Sequence, residues 1–158
     1  MKKIIIGADH GGFSLKEKIK STLVKKGFLV KDVGTYSLKR CDYPYFAYLV
    51  ASDVSRGVFQ NGILICKSGI GNCIVANRLP GVRAALCHTI KAARLSRQHN
   101  DSNLLVLGSL FVDSALAKRI VAVWLKTKFK AGRHKIRLKQ IEEVERKIRS
   151  QRLIKPFV

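Results

Sequence analysis

The amino-acid sequence predicts an α/β domain built on a doubly wound sheet of about five parallel strands, with helices on both faces. Three observations carry that expectation. Short apolar runs alternate with longer stretches at helical period along the chain. The runs are continuous rather than alternating, as in strands buried on both faces. The 158 residues, 47% of them apolar, suit one domain, and a chain of that size buries about two-thirds of its unfolded surface without needing disulfides or metal.

Taken in order, Lys3–Gly7 (KIIIG) reads as the first strand. Phe13 to Lys26 places Leu15, Ile19 and Leu23 on one stripe, with Ser14-Leu15-Lys16-Glu17 matching a capping box and Gly27 as the stop. Phe28–Val33 is a second strand, and Pro44 to Arg56 a helix with proline in its first turn. Gly62–Cys66 (GILIC) is a third strand that runs into Lys67-Ser68-Gly69-Ile70-Gly71-Asn72, then a helical stretch to about Arg78. Val82–Cys87 is a fourth strand, Thr89 to Arg97 a short helix, and Asn103–Leu107 a fifth strand. Two helices, Asp113 to Lys126 and about Arg133 to Arg149, close a single domain over residues 1–149. Residues 150–158 form a basic tail containing Pro156, expected to be loosely ordered or packed on a neighbouring subunit. Right-handed crossovers make the sheet doubly wound.

The charge is abnormal. Lys and Arg number 31 against 10 Asp and Glu, a net +21, which points to an anionic partner: a phosphorylated metabolite, a nucleic acid or an acidic membrane surface. No apolar run approaches the roughly 18 residues of a membrane span. The apolar stretch behind Met1-Lys2-Lys3 is too short for a secretory signal, so the expected location is the cytoplasm. Cys41, Cys66, Cys73 and Cys87 form no C-x-x-C pair and read as free thiols. The cysteines and histidines lack zinc-ligand spacing, so zinc is not expected.

In an open parallel sheet, ligands bind beyond the carboxyl ends of strands. The loop after the first strand holds Asp9 and His10, with an acid–base or anion-holding role for both, or simple helix capping by Asp9, open. The loop after the third strand is glycine-rich; it is neither a Walker loop nor a dinucleotide fingerprint, and a plain glycine turn is its ordinary meaning. Cys66 at its head raises the interest, because neighbouring N–H groups and Lys67 would favour thiolate, a competent base or nucleophile. Just ahead of the fifth strand stand His99 and Asn100, in what reads as a polar loop. His88 reads as structural. Arg133 and Arg137 are four apart on a helix, so two guanidinium forks can close on one phosphate; a solvated basic face is the alternative.

These pieces together resemble the ribose-5-phosphate isomerase B family, whose relatives include the galactose-6-phosphate isomerase subunits. The matching strings are Gly7-Ala8-Asp9-His10-Gly11-Gly12-Phe13, Asp42-Tyr43-Pro44, Gly62–Cys66, Ser68–Gly71, Ala76-Asn77, Gly81–Ala84, Leu95–Asp101 and Gly132-Arg133-His134 with Arg137. The resemblance implies a Rossmann-like fold, a homodimer or tetramer with active sites at the subunit interface, and no metal or organic cofactor. It implies interconversion of ribose 5-phosphate and ribulose 5-phosphate through a cis-enediolate, a pentose phosphate pathway reaction. By resemblance, Cys66 is the proton-transferring base, and His99 opens the furanose ring with Asp9 assisting. Ser68 and the Gly69, Ile70, Gly71 and Asn72 amides cradle the enediolate oxygens. Asn100 meets a sugar hydroxyl, and His10, Arg133 and Arg137 grip the phosphate. Two departures stand out: Lys67 at a position usually small, placed beside the oxyanion or pointing outward, and Asn72-Cys73 where small or aliphatic residues are usual.

A six-carbon substrate such as allose 6-phosphate or galactose 6-phosphate keeps the same mechanism. A basic nucleic-acid-binding module on the same fold is the reading from another class. It is disfavoured because no recognised nucleic-acid motif is present and aromatic residues do not interleave with the basic runs.

Overall fold

A computed structural model describes residues 2–154, with side chains described through 150. Five strands, β1 (Lys3–Ala8), β2 (Leu29–Asp32), β3 (Gly62–Cys66), β4 (Ala84–Leu86) and β5 (Leu104–Gly108), pair in parallel in the order β2-β1-β3-β5-β4. Six helices accompany them: α1 (Phe13–Lys25), α2 (Tyr43–Ser55), α3 (Ile70–Ala76), α4 (Ile90–Asn100), α5 (Ser114–Lys126) and α6 (Arg133–Ile154). The doubly wound α/β sheet expected from the sequence is present.

Strand parity sorts the core into two layers. Ile4, Ile6, Ile63, Ile65, Leu105 and Leu107 point to one face, where α1 and α5 cover them with Leu15, Ile19, Leu23, Ile120 and Trp124. Ile5, Leu64, Leu104 and Val106 point to the other, under Ala47, Val50, Ala51 and Val54 of α2 and Ala76 of α3. Both faces are therefore apolar, which is why the strands read as unbroken hydrophobic runs.

Local chemistry moved several boundaries. The Ser14–Glu17 capping box does not form: Gly12 is the N-cap of α1 without a side-chain cap, and the Gly12 N–H instead donates to Asp9 Oδ1 at 2.9 Å. β4 is confined to three residues, shorter than Val82–Cys87. α4 continues past Arg97 to Asn100, so His99 and Asn100 occupy a helix end and not a loop. α6 passes Arg149 and runs to Ile154, taking the start of the expected tail into the helix; 155–158 lie outside the described residues.

One buried charge ties α1 to the sheet. Lys16 is fully buried, and its Nζ lies 2.6 Å from Asp32 Oδ2 and 2.7 Å from Glu17 Oε1. Lys20 also reaches Asp32 at 2.6 Å. Burial works to raise the Asp32 carboxyl, but hydrogen bonds from Lys16, Lys20 and the Gly34 N–H outweigh it and hold it below the ordinary carboxylate range. A carboxyl depressed in the folded state stabilises the protein above its unfolded value, near 3.9, and loses that contribution as pH falls through the folded one. Asp32→Asn is expected to cost about 3 kcal/mol, because the buried ammonium keeps only Glu17 as a charged partner. The variant should also flatten the loss of stability below about pH 4. Denaturant melts from pH 3 to 7 check both; a variant as stable as wild type at pH 7 would contradict the role.

Candidate active site

Cys66 ends β3, buried and only 4% exposed. Its sulfur accepts the Gly69 N–H at 3.1 Å. Gly69 makes this turn possible: its φ of +79° is left-handed, and a Cβ there would collide with Leu86 and the Leu107 carbonyl. The thiolate expected beside Lys67 and the turn amides is not the resting form. Burial pushes the thiol up, the Gly69 N–H pulls it back, the Asp9 carboxylate pushes it up again, and the Asn72 and Ser68 N–H groups pull more weakly; the net shift is upward. Low dielectric penalises the anion more than the turn rewards it.

Around this sulfur the structure gathers the carboxyl ends of β1, β3 and β5. Asp9, buried, accepts the Gly12 N–H just ahead of α1, a bond within the loop and not a cap of the helix, and its carboxylate acts on the Cys66 thiol. His10 Nδ1 lies 3.0 Å from the Cys41 carbonyl oxygen and 3.3 Å from the Cys41 amide nitrogen, which fixes the ring against the segment leading into α2. Lys67 runs its aliphatic stem over Gly11, so that a Cβ there would lie 2.5 Å from Lys67 Cγ. Its exposed ammonium has no carboxylate partner among the described residues. Ser68 Oγ accepts the Ile70 N–H at 3.3 Å. Gly71 is covered by the Tyr43 ring, whose hydroxyl oxygen lies 2.6 Å from where a Cβ would stand. Asn72 is buried on the inner side of α3.

Ser109 stitches the loops: its N–H donates to the Cys66 carbonyl at 2.9 Å and its Oγ to the Gly11 carbonyl at 2.8 Å. Tyr43 and Ser109 were missed by sequence reasoning. Tyr43 could have been found in the Asp42-Tyr43-Pro44 string; nothing local marks Ser109. His88 at this end packs against Phe111 with ring centroids 4.6 Å apart and the rings tilted by 37°, in keeping with a packing role, although its Nε2 is buried without a partner among the described residues.

The remaining expected residues lie at the opposite end of the sheet. His99 and Asn100 end α4 ahead of β5, where the Asn103 carbonyl accepts the N–H of Gly62, the first residue of β3. Four residue steps along β3 separate Gly62 from Cys66, about 13 Å at 3.3 Å per residue. α6 joins this second group. The Lys130 N–H donates to the Gln98 carbonyl at 3.0 Å, and the His99 and His134 rings stack 4.2 Å apart at an interplanar angle of 9°. Burial, then His99 and the charges of Arg133, Arg137 and Lys130, push the His134 imidazole below its ordinary value. Arg133 and Arg137 are exposed beside it. Arg83, also missed, braces the group: its guanidinium donates to the Asn100 and Asp101 carbonyls and to Asp101 Oδ2.

The expected residues thus fall into two groups, with Asp9, His10 and Cys66 through Asn72 at one end of the sheet and the more cationic set of His99, Asn100, Arg133 and Arg137 at the other. Two clefts lie elsewhere, one of about 370 Å³ between α1 and α5 and one of about 440 Å³ beside Ile4, Phe59 and Asn61; Lys2, Phe28 and Leu125 border both, and no expected site residue borders either. Among the described residues no three of His, Cys, Asp and Glu converge as a metal site, and no helix is long and apolar enough to cross a membrane.

Comparison with known proteins agrees with this architecture. Residues 4–141 match the model of the family described as Ribose/Galactose Isomerase. Ribose-5-phosphate isomerase B of Escherichia coli K12 is 47% identical over 147 residues, spanning 93% of this chain and 99% of that one. The ribose-5-phosphate isomerase B structure of Clostridium thermocellum superposes with a TM-score of 0.91 at 47% identity, covering 92% of this chain and 99% of the other. That of Mycoplasma genitalium, solved with bound ribulose-5-phosphate, gives 0.88 at 42% identity, covering 91% and 96%. By its sequence match over nearly the whole sheet and by its fold, this chain belongs to the ribose/galactose isomerase family.

Proposed function

We propose that this protein interconverts ribose 5-phosphate and ribulose 5-phosphate. The observation that carries the reading is a buried thiol at a strand end, facing a turn of N–H donors, in a chain 42% identical to a protein solved with the ketose phosphate. Proton transfer between the two carbons beside a carbonyl needs a base within hydrogen-bond reach and donors aimed at the developing oxyanion. Cys66 and the Ser68–Asn72 turn supply both from one segment.

The sequence of events follows from those roles. His99 donates a proton to the ring oxygen while Asp9 takes one from the C1 hydroxyl, opening the furanose. The Cys66 thiolate removes the C2 proton; the electron pair becomes the C1–C2 double bond of a cis-enediolate, held by the turn N–H groups and Ser68. A proton passes from the O2 hydroxyl to O1, Cys66 returns its proton to C1, and O2 becomes the ketone oxygen. His10, Arg133 and Arg137 grip the phosphate, Asn100 a hydroxyl, and Lys67 the oxyanion side of the loop. Holding the phosphate lets remote binding energy aid the reacting carbons.

Two half-sites on opposite ends of one sheet support a homodimer in which the cationic half of one copy completes the base-bearing half of the other. Exposed apolar side chains border the Cys66 loop (Ile70, Ile74, Leu110 and Phe111, each more than half exposed), as a surface awaiting a partner does. Residues 1–149 act as the isomerase domain, with 150–158 as an appendage, in the cytoplasm and within the pentose phosphate pathway.

The direct test is the rate of ketose formation from ribose 5-phosphate, run beside galactose 6-phosphate and allose 6-phosphate. Because burial keeps the Cys66 thiol protonated at neutral pH, kcat/KM should climb between pH 7 and 9, by up to about tenfold per unit while the thiolate is the minor form. A rate already level at pH 7 would mean a preformed thiolate, or a different base. Arg137→Ala should chiefly weaken substrate binding, raising KM by at least about tenfold with kcat less affected; loss of kcat at unchanged KM would remove it from the phosphate grip.

A further inference from the structure

Asn72 is the one residue of the Cys66 turn whose side chain the fold leaves unexplained. It is 1% exposed, and neither its Oδ1 nor its Nδ2 has a hydrogen-bond partner among the described residues. Burying an amide unpaired is costly, and native structures rarely leave both ends so. The residue is not misplaced packing. Asn72 and Ala76 form the inward stripe of α3, and Ala76 lies in the core against the sheet; Asn72 is one turn nearer the end where Cys66 stands. Its own main-chain N–H is among those that reach the Cys66 sulfur. The turn is closed on its flanks by Leu86 over Gly69 and Tyr43 over Gly71.

The chemistry of the orphaned group selects its ligand. A phosphate or enediolate oxygen only accepts, and would leave Oδ1 unpaired. A hydroxyl both accepts from the Nδ2 donors and donates to Oδ1, matching the amide's full capacity. We propose that the Asn72 side-chain amide reads a sugar hydroxyl next to the reacting carbons, the C3 hydroxyl of the aldose phosphate, and so helps set substrate specificity in this chain. The inference rests on the isomerase reading above. C1 and C2 are consumed by the thiol and its donor turn, the phosphate on C5 belongs to the arginines, and C3 is the next hydroxyl along from the base. A site built to bond a hydroxyl discriminates strongly against a substrate lacking it, because its own polar group is then stranded.

The test is a two-by-two comparison: wild type and Asn72→Leu, each assayed on ribose 5-phosphate and on its 3-deoxy analogue, with thermal melts of both proteins. Leucine keeps the branched four-heavy-atom shape, though bulkier, and removes the amide. The expected result is a loss of about tenfold in kcat/KM on ribose 5-phosphate, less than twofold on the 3-deoxy compound, and a melting temperature not lowered. Equal losses on both substrates, or none on either, overturn the proposal and leave Asn72 a structural residue. If the leucine variant does not fold, Asn72→Ala supplies the same ratio. Wild-type turnover of ribose 5-phosphate is read separately: its absence would sink the isomerase reading itself, whereas normal turnover with an unaltered ratio sinks only the role of Asn72.

Discussion

Cys66→Ala is expected to lower kcat for ribose 5-phosphate by about 10³- to 10⁴-fold, the usual range for removing a positioned proton-transfer group. The size of the effect follows from the surroundings of the sulfur. Asp9 is the nearest alternative base, but its Oδ1 is engaged by the Gly12 N–H at 2.9 Å, which directs that oxygen toward the turn. His10 is anchored to the Cys41 backbone. No second group stands at the head of the turn where the enediolate would form. Binding should survive, because the proposed phosphate grip lies on other residues, so KM should change by less than a few-fold. The fold should survive as well: the site is at a strand end, and alanine removes one atom from a position flanked by backbone. Steady-state kinetics with circular dichroism of the variant give the check. Activity within tenfold of wild type would remove the thiol from the proton transfer, whatever the fold.

The architecture was legible because its signals are local. The strands are apolar on both faces, and the helices carry stripes and breakers in nearly the right places. Misreadings came where a side chain's partner lies far along the chain. α4 runs past Arg97 because His99 stacks on His134 and Arg83 secures the Asn100 and Asp101 carbonyls; both partners are remote in sequence. The capping box lost to Asp9, which reaches the Gly12 N–H from the preceding loop. The thiol misled for a different reason: neighbours at 67 to 72 argue for thiolate, and only the enclosing fold reveals the desolvation that wins. The candidate residues stood out by type and spacing, but their division between two ends of the sheet was not legible in the sequence. His99 stands ahead of a strand and Cys66 behind one, and only parallel pairing of β3 with β5 turns that order into distance.

That division makes a second large effect measurable. Cys66→Ala and His99→Ala chains, each nearly inactive alone, should recover activity when refolded or expressed together. In a mixed dimer, one site draws the alanine from both chains and the other draws intact Cys66 from one copy and intact His99 from its partner. Random pairing makes half the dimers mixed, each with one of two sites whole, so about a quarter of wild-type activity is expected. If each site were built within a single chain, every site in the mixture would carry one lesion and nothing would return. The geometry favours recovery: about 13 Å of strand separates the two half-sites, and the buried core of β3, with Ile63, Leu64 and Ile65 fully enclosed, fills the space between them. No rotamer change brings His99 to the sulfur of its own chain; in the proposed dimer a second copy, docked against the apolar border of the Cys66 loop, delivers the histidine and the two arginines together.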